Sequence, residues 1–269
     1  MRVHHLNCAT MCPPFGGGLP RGHLIAHVLA LETPAGVLLV DTGLGTADLE
    51  APRSRLGMPF LAGFGPTLAR EEPALAQLTA LGFTRRDVRH IVVTHLDLDH
   101  AGGLADFPEA TVHVYARERA LLGEPLPFRH RQRYRKAHFE HAPRWRDYHG
   151  GGDRWFGFES VRVVADVGAE VVLIPLVGHT FGHVGVAVRV RERWLLHAGD
   201  AYFHHDELRG ERAPLVLEAF QRVAAMDAKQ RVHNRDRLAE LAGQESVEIF
   251  CAHDPDELEV QRVRSLAPG

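Results

Sequence analysis

The sequence predicts an α+β fold in which two sheet-plus-helix halves pack sheet against sheet, with helices outside. Three observations predict it. Apolar runs with strand character come in two sets, and each set leads into segments of helical periodicity. No tandem repeat of short period is visible, so the two halves are not turns of a solenoid. The chain has 269 residues, 45% hydrophobic and 24% charged, which is enough to bury a sizeable core. That length admits one large domain or two small ones. The order of elements favours a single domain over 1–269 in which each sheet covers the other.

In the first half, residues 3–8, 24–32 and 37–40 read as strands. The last two are joined by Thr33-Pro34-Ala35-Gly36, a turn-forming stretch, so a hairpin is expected. The run 37–40 is wholly apolar and ends in Asp41-Thr42-Gly43, which places a carboxylate at the mouth of a buried strand. Residues 44–70 read as loop, rich in Gly and Pro with isolated apolar residues such as Met58, Phe60, Leu61 and Phe64. Such a segment is either a wall of a site or a surface loop packed on its own side chains. A helix follows over 71–81, with Leu75, Leu78 and Leu81 on one face and Gly82 ending it. Strands at 90–93 and 110–115 and a short helix at 116–122 come next.

Residues 128–146 differ from their surroundings. They hold Arg129, Arg131, Arg133, Arg135, Lys136, Arg144 and Arg146 against the single acid Glu140, with Tyr134, Phe139 and Trp145 interspersed. A nucleic-acid patch has this composition. So does a solvated helical face, or an insertion that caps a site and receives an anionic substrate. The net charge of -3 argues against a surface built for nucleic acid and favours a surface or lid helix. Segments 44–70 and 123–155 are accordingly read as loop or helical insertions near the site.

The second half resumes with strands at 161–165, 170–176, 184–190 and 194–197. Helices are expected at 214–227 and 235–241, then a last strand at 247–251 and a short helix around 257–263.

The chemistry is concentrated in residues 94–103, Thr-His-Leu-Asp-Leu-Asp-His-Ala-Gly-Gly, directly after the apolar Ile91-Val92-Val93. Leu96 and Leu98 alternate with His95, Asp97 and Asp99, so on an extended segment these three polar groups share one side. His100 is adjacent to Asp99 and must point elsewhere. A cluster that points in two directions can feed two neighbouring metal ions. With 19 histidines in the chain, such a pattern arises by chance about once in a hundred sequences, and the bland alternative is a polar loop that caps the next helix. Three further strand ends weaken that alternative. His179 lies in Gly-His-Thr-Phe-Gly-His, Asp200 in Ala-Gly-Asp-Ala and His253 in Ala-His-Asp, each just past an apolar run.

In this order of motifs the chain resembles the metallo-β-lactamase-fold hydrolases over nearly its full length. Their pattern is an early strand-end Asp, His-x-His-x-Asp-His, Gly-His-Thr-x-Gly-His, Gly-Asp and a late His. The resemblance implies a four-layer αββα sandwich of two mixed sheets packed face to face. It also implies two divalent ions, zinc first among the candidates. His95, Asp97 and His179 would hold one ion, and Asp99, His100 and His253 the other, with Asp200 bridging. Asp41 and His183 would support the ligands from behind. One position departs from the family, whose second ligand is usually His where this chain has Asp97. A carboxylate there makes the first position harder and more anionic, favouring manganese or iron, or leaving a single ion bound.

A metal-bridging hydroxide would then attack a polarised ester-type bond, with Asp99 steering its proton to the leaving group. The nearest resemblance is to the N-acyl homoserine lactonase branch, so a lactone is the expected substrate. In that branch a Tyr shortly after the bridging Asp contacts the substrate carbonyl. Tyr202 stands near that position, one residue closer than the spacing requires, and a buried structural tyrosine is the alternative. His204 and His205 either line the pocket or sit in a polar loop. Thioesters and phosphodiesters remain open alternatives, as does a diiron-type oxidoreductase. So does a nucleic-acid-binding protein or nuclease using 128–146.

Cys8, Cys12 and Cys251 form no disulfide framework and read as small thiols rather than a metal or redox pair. The first residues, Met1-Arg2-Val3-His4-His5-Leu6, lack the apolar stretch of a secretory signal, and no apolar run approaches the length of a membrane span. The expectation is a cytoplasmic enzyme with a small-molecule substrate, with no membrane or nucleic-acid partner and with a homodimer left open.

Overall fold

The computed structural model describes residues 1–19, 21–152, 154–163 and 168–266. Six strands form the first sheet in chain order: β1 (Arg2–Met11), β2 (Leu24–Thr33), β3 (Gly36–Val40), β4 (Val88–Val92), β5 (Thr111–Tyr115) and β6 (Arg144–Tyr148). A small hairpin, β7 (Arg154–Trp155) and β8 (Phe158–Glu159), leads into the second sheet. That sheet contains β9 (Val161–Arg162), β10 (Val171–Pro175), β11 (Val184–Val190), β12 (Arg193–His197) and β13 (Val247–Phe250), ordered β13-β12-β11-β10-β9. Both sheets are mixed. β3 through β6 run parallel, as do β12 and β13, while the remaining pairs are antiparallel.

The two-residue period of each strand builds the layers. Leu38 and Val40 of β3 point into a core shared with Val171 and Leu173 of β10 and with Val184, Val186 and Val188 of β11. Their neighbours Val37 and Leu39 face the other way, onto Leu78. On the second sheet Val172, Ile174 and Ala187 face outward onto Leu238 and Leu241. Each such fully buried aliphatic side chain contributes roughly 1.5–3 kcal/mol. The result is the expected sandwich of two mixed sheets with helices outside.

The helices are α1 (Thr46–Glu50), α2 (Pro52–Arg55), α3 (Met58–Phe64), α4 (Ala74–Ala80), α5 (Leu98–Ala101), α6 (Ala116–Ala120), α7 (Phe128–Arg131), α8 (Leu215–Ala224), α9 (Ala228–Leu241) and α10 (Pro255–Leu266). Among the described residues no helix is long and apolar enough to cross a membrane.

Several local expectations are corrected. Residues 44–70 contain three short helices, too brief to show periodicity, two of them with Pro in the first turn. The basic segment 128–146 is not one helix. It holds α7 and a 3-10 turn at Lys136–His138, and its end enters β6, which pairs parallel with β5. An exposed edge strand of alternating Arg and aromatic residues carries no apolar run by which to recognise it. The helix expected at 235–241 begins at Ala228, where the Asp227 side chain caps Gln230 N at 2.9 Å. Its first turns are buried through polar groups, since Arg231 donates to Ala201 O and Asn234 to Val177 O, so apolar periodicity could not mark them. Of the strand expected over 161–165, Val161–Arg162 is paired, and 164–165 lie outside the described residues.

Candidate metal centre and substrate cleft

Parallel pairing brings the carboxyl ends of β3 and β4 to one edge of the first sheet, and those of β12 and β13 to the facing edge of the second. Asp41 follows β3, His95 follows β4, Asp200 follows β12 and His253 follows β13. His179 lies in the turn between β10 and β11.

The 94–100 segment is not extended throughout. Asp97 is the N-cap of α5, so Asp99 and His100 leave from a helical turn, and the His100 ring lies 4.0 Å from that of His95, centroid to centroid. This corrects the expectation of an extended segment along which His95, Asp97 and Asp99 share one side. The donor atoms of His95, Asp97, His179 and Asp200 converge in one group, and those of Asp99, His100 and His253 in another. Asp200 touches both, with Oδ2 3.1 Å from His179 Nε2 and Oδ1 3.1 Å from His100 Nε2.

Asp41 orients this cluster from behind. It sits at φ 60°, a left-handed conformation that Asp tolerates better than most residues. Its Oδ1 accepts Thr94 N–H at 2.7 Å, and its Oδ2 accepts the Thr94 hydroxyl at 2.8 Å and His100 Nδ1–H at 2.8 Å. The Thr94 hydroxyl, having donated to Asp41, accepts from His95 Nδ1 at 3.0 Å. Burial works to raise the Asp41 pKa, but the His100 ring outweighs it and holds the carboxyl below its ordinary range. His183 plays a comparable part for Asp200. Its Nδ1 donates to Leu176 O at 2.9 Å, and its Nε2 accepts the Asp200 backbone N–H at 2.9 Å. Gly199 is required there, because a Cβ would lie 2.5 Å from His183 Nε2.

These hydrogen bonds fix the tautomers, and the tautomers show what the site needs. His253 Nδ1 lies 2.7 Å from Ile25 O, a carbonyl that can only accept, so Nδ1 carries the proton. The neutral ring then turns a lone pair at Nε2 toward Asp200 Oδ2, 3.0 Å away. His100 does the same toward Asp200 Oδ1. The Nε2 atoms of His95 and His100 and the Oδ1 of Asp200 are buried without a hydrogen-bond partner. Lone pairs that converge on one another in the interior require a cation between them. Burial works to lower the pKa values of His100 and His253, but the Asp200 carboxylate outweighs it and holds both above the ordinary histidine value. A nitrogen–oxygen donor set of this kind fits a divalent metal such as zinc.

Residues outside the expected set complete the centre. Glu118, fully buried, accepts Leu96 N–H at 3.0 Å, the Tyr134 hydroxyl at 3.1 Å and the Thr180 hydroxyl at 2.6 Å. It thereby ties the 95–100 loop to the 179–183 turn. In the sequence it sits in Ala-Arg-Glu-Arg-Ala, which reads as a solvated helix, and nothing there marks it. Arg133 donates through Nε to Asp97 Oδ1 at 2.7 Å and through Nη2 to Asp97 Oδ2 at 2.5 Å, and Nη2 also contacts His179 Nε2. Burial works to raise the Asp97 pKa, but the Arg133 charge holds that carboxyl well below the carboxylate range. Burial, with Arg133 adding to it, pushes His179 down to about 3.

A cleft of about 240 Å³ opens above the centre. Asp97, Asp99, His179, Asp200 and His253 line its floor, and Arg129, His130 and Arg133 line one wall. The rest is apolar, with Leu24, Phe60, Phe64, Leu98, Phe203, Phe220 and Val223. The basic segment therefore contributes to this wall, and other cations of the segment are spent on protein groups. Arg135, for example, donates to the carbonyls of Ser54 and Arg55.

Tyr202 does not reach the cleft, which corrects the expectation that it contacts substrate. It is fully buried behind the second sheet, and its hydroxyl donates to Glu257 at 2.8 Å. Burial, with the Glu257 charge adding to it, raises the Tyr202 pKa well above its ordinary value. His204 and His205 also lie outside the cleft lining. His205 bonds Asp254 Oδ2 through both N–H and Nδ1, at 2.8 Å each, and His204 stacks on it at 4.3 Å.

Comparison with known proteins places this geometry. A sequence model of the Metallo-beta-lactamase superfamily matches residues 21–253. The chain is 42% identical over 266 residues to a probable metallo-hydrolase of Mycobacterium tuberculosis, covering 97% of this chain and 83% of that one. It is 28% identical over 224 residues to the N-acyl homoserine lactonase AttM of Azorhizobium caulinodans, covering 83% and 79%. Among solved structures, an N-acyl homoserine lactone hydrolase with N-hexanoyl-L-homoserine at its catalytic metal centre superposes with a TM-score of 0.72. It is 21% identical, with 96% and 95% of the two chains covered, a likeness of fold.

Proposed function

The chain belongs to the metallo-beta-lactamase superfamily and is a metallo-hydrolase of that fold; from that premise we propose that it opens the ester bond of a lactone carrying an apolar tail. The observation that carries the reading is the cleft. Converging metal-type donors form its floor, and an aromatic, aliphatic wall leads away from them, matching a substrate with one reactive polar end and one apolar end. The AttM relatives support the lactone.

His95, Asp97 and His179 make up one candidate metal position and Asp99, His100 and His253 the other, with Asp200 between them. A bound divalent ion, with zinc the first choice for these donors, supplies Lewis acidity toward the carbonyl and a water of lowered pKa. The protein's own groups do the rest. Asp41, through His100 and Thr94, keeps the ligand lone pairs turned inward. Phe203 and Phe220 exclude bulk water from the floor and hold the tail. Asp99, which lines the cleft, takes the proton of the attacking water. As the ring C–O bond breaks, Asp99 delivers that proton to the leaving oxygen. Its three cysteines are free thiols, in keeping with a reducing, cytoplasmic setting.

A phosphodiester is the second reading, favoured by the Arg129 guanidinium in the cleft wall. The test is a screen of metal-loaded protein against an acylated lactone, a thioester and a phosphodiester of matched size. Preference for the lactone in kcat/KM is expected. Preference for the phosphodiester or the thioester sinks the lactone reading and leaves the metallo-hydrolase assignment standing.

A further inference from the structure

We propose that the guanidinium of Arg133 is the resident cation of the first metal position, so that the working protein holds one divalent ion, at Asp99, His100, His253 and Asp200. This rests on the metal-dependent reading above and deepens it.

The geometry is that of a fork on a carboxylate. Nε and Nη2 of Arg133 take the two oxygens of Asp97 at 2.7 and 2.5 Å, and Nη2 also takes His179 Nε2. Nη1 is anchored on Ala224 O at 2.6 Å, which holds the guanidinium in place from the far side. Both side chains are nearly enclosed, at 12% and 13% exposure. Asp97 and His179 are two of the four residues, with His95 and Asp200, that would hold the first ion, and Arg133 already occupies the donor atoms of those two. Among the described residues, Asp99, His100 and His253 have no guanidinium against them in the hydrogen bonds and ion pairs of the centre.

The chemistry agrees with the placement. Arginine cannot shed its proton at any working pH, and its planar donors match a carboxylate with two parallel bonds. A divalent ion set against Asp97 would therefore meet a like charge at contact distance in a low-dielectric site. Histidine at position 97 would offer the fork no pair of oxygens, so the aspartate and the arginine form one device. Arg133 also lines the cleft, where its positive charge faces the region in which a carbonyl oxygen gains negative charge.

The test is metal stoichiometry, read without reference to turnover. The chelator-stripped protein is titrated with Zn2+ by calorimetry and with Co2+ by visible absorption. The wild-type chain is expected to bind one ion. Arg133→Met is expected to bind two, with the added ion held at least roughly tenfold more tightly than any second ion in the wild type and with a new cobalt band. Arg133→Gln provides the same comparison if the methionine variant does not fold. Two ions in the wild type, or one ion in every folded Arg133 variant, overturns the proposal. Wild-type protein that binds no ion overturns the proposal and the metal-dependent reading together. Failure to hydrolyse lactones would touch only the proposed substrate.

Discussion

His100 Nδ1 lies 2.8 Å from Asp41 Oδ2, across 59 residues of sequence, and this contact turns the ring's other nitrogen toward Asp200 at 3.1 Å. Asp41 touches no candidate metal position itself. It sets the tautomer of His100 directly and that of His95 through the Thr94 hydroxyl. Asp41→Asn preserves the size of the side chain and tolerates the same left-handed backbone. It replaces one acceptor oxygen with a donor. The expected result is a loss of roughly 10- to 100-fold in metal affinity, measured by competition with a chromophoric chelator, with little change in the fold. Unchanged affinity would remove Asp41 from the site's construction.

The sequence made the strand-end candidate ligands legible because a metal site needs particular residue types at the ends of apolar runs. His95, His100, His179, Asp200 and His253 could be identified that way. Arg133 could not, since its partner Asp97 lies 36 residues away and its own segment reads equally well as a lid or a solvated face. The helical turn at α5 was hidden for another reason. Leu96 and Leu98 alternate as in a strand, but both are buried in different cores, one against the outer helices and one under the cleft. His27, His5 and His197 illustrate the opposite error that a histidine-rich chain invites. They cluster in the interior, His5 on His27 at 2.9 Å and His197 on His27 O at 2.7 Å, and build structure rather than a site.

Tyr202 supplies a second prediction. Its hydroxyl is committed to Glu257, so Tyr202→Phe is expected to leave kcat/KM within about threefold of wild type and to cost about 1 kcal/mol of stability. A tyrosine that held the substrate carbonyl would instead cost roughly 100-fold or more in kcat. Steady-state kinetics alongside urea denaturation separates the two, and a large kcat defect in a stable variant would return Tyr202 to the chemistry.

Glu257 gives a pH prediction. Burial, with the charge of Asp254 adding to it, pushes its carboxyl from an ordinary 4.5 up to about 7. The folded chain thus keeps a proton that the unfolded chain has already released. Stability contributed by this group therefore falls as pH rises from 4.5 to 7 and is level above that window, by at most about 3 kcal/mol. Glu257→Gln retains an acceptor for Cys251 N–H and removes the titration. Denaturation at pH 5 and pH 8 should show the variant gaining on wild type at the higher pH. An equal pH dependence in both proteins would contradict the assignment.

The apolar wall predicts selectivity. Phe220 packs on Phe15, Phe64 and Phe203 at centroid distances of 5.5 to 5.9 Å and forms part of the cleft lining. Phe220→Ala is expected to raise KM for long-tailed lactones by roughly 10- to 100-fold and to leave short-tailed ones nearly unchanged. Equal losses on both would mean that the tail does not lie along this wall.

The most direct test of the account is whether hydrolysis depends on metal held by these residues. The lactone-opening rate should be measured in the wild type and in Asp200→Ala before chelation, after chelation and after zinc is restored. Wild-type activity that chelation abolishes and zinc recovers is expected, with Asp200→Ala lower by more than about a hundredfold before chelation and after zinc is restored. Wild-type hydrolysis that survives complete removal of metal, or an Asp200→Ala variant as active as wild type, would contradict it.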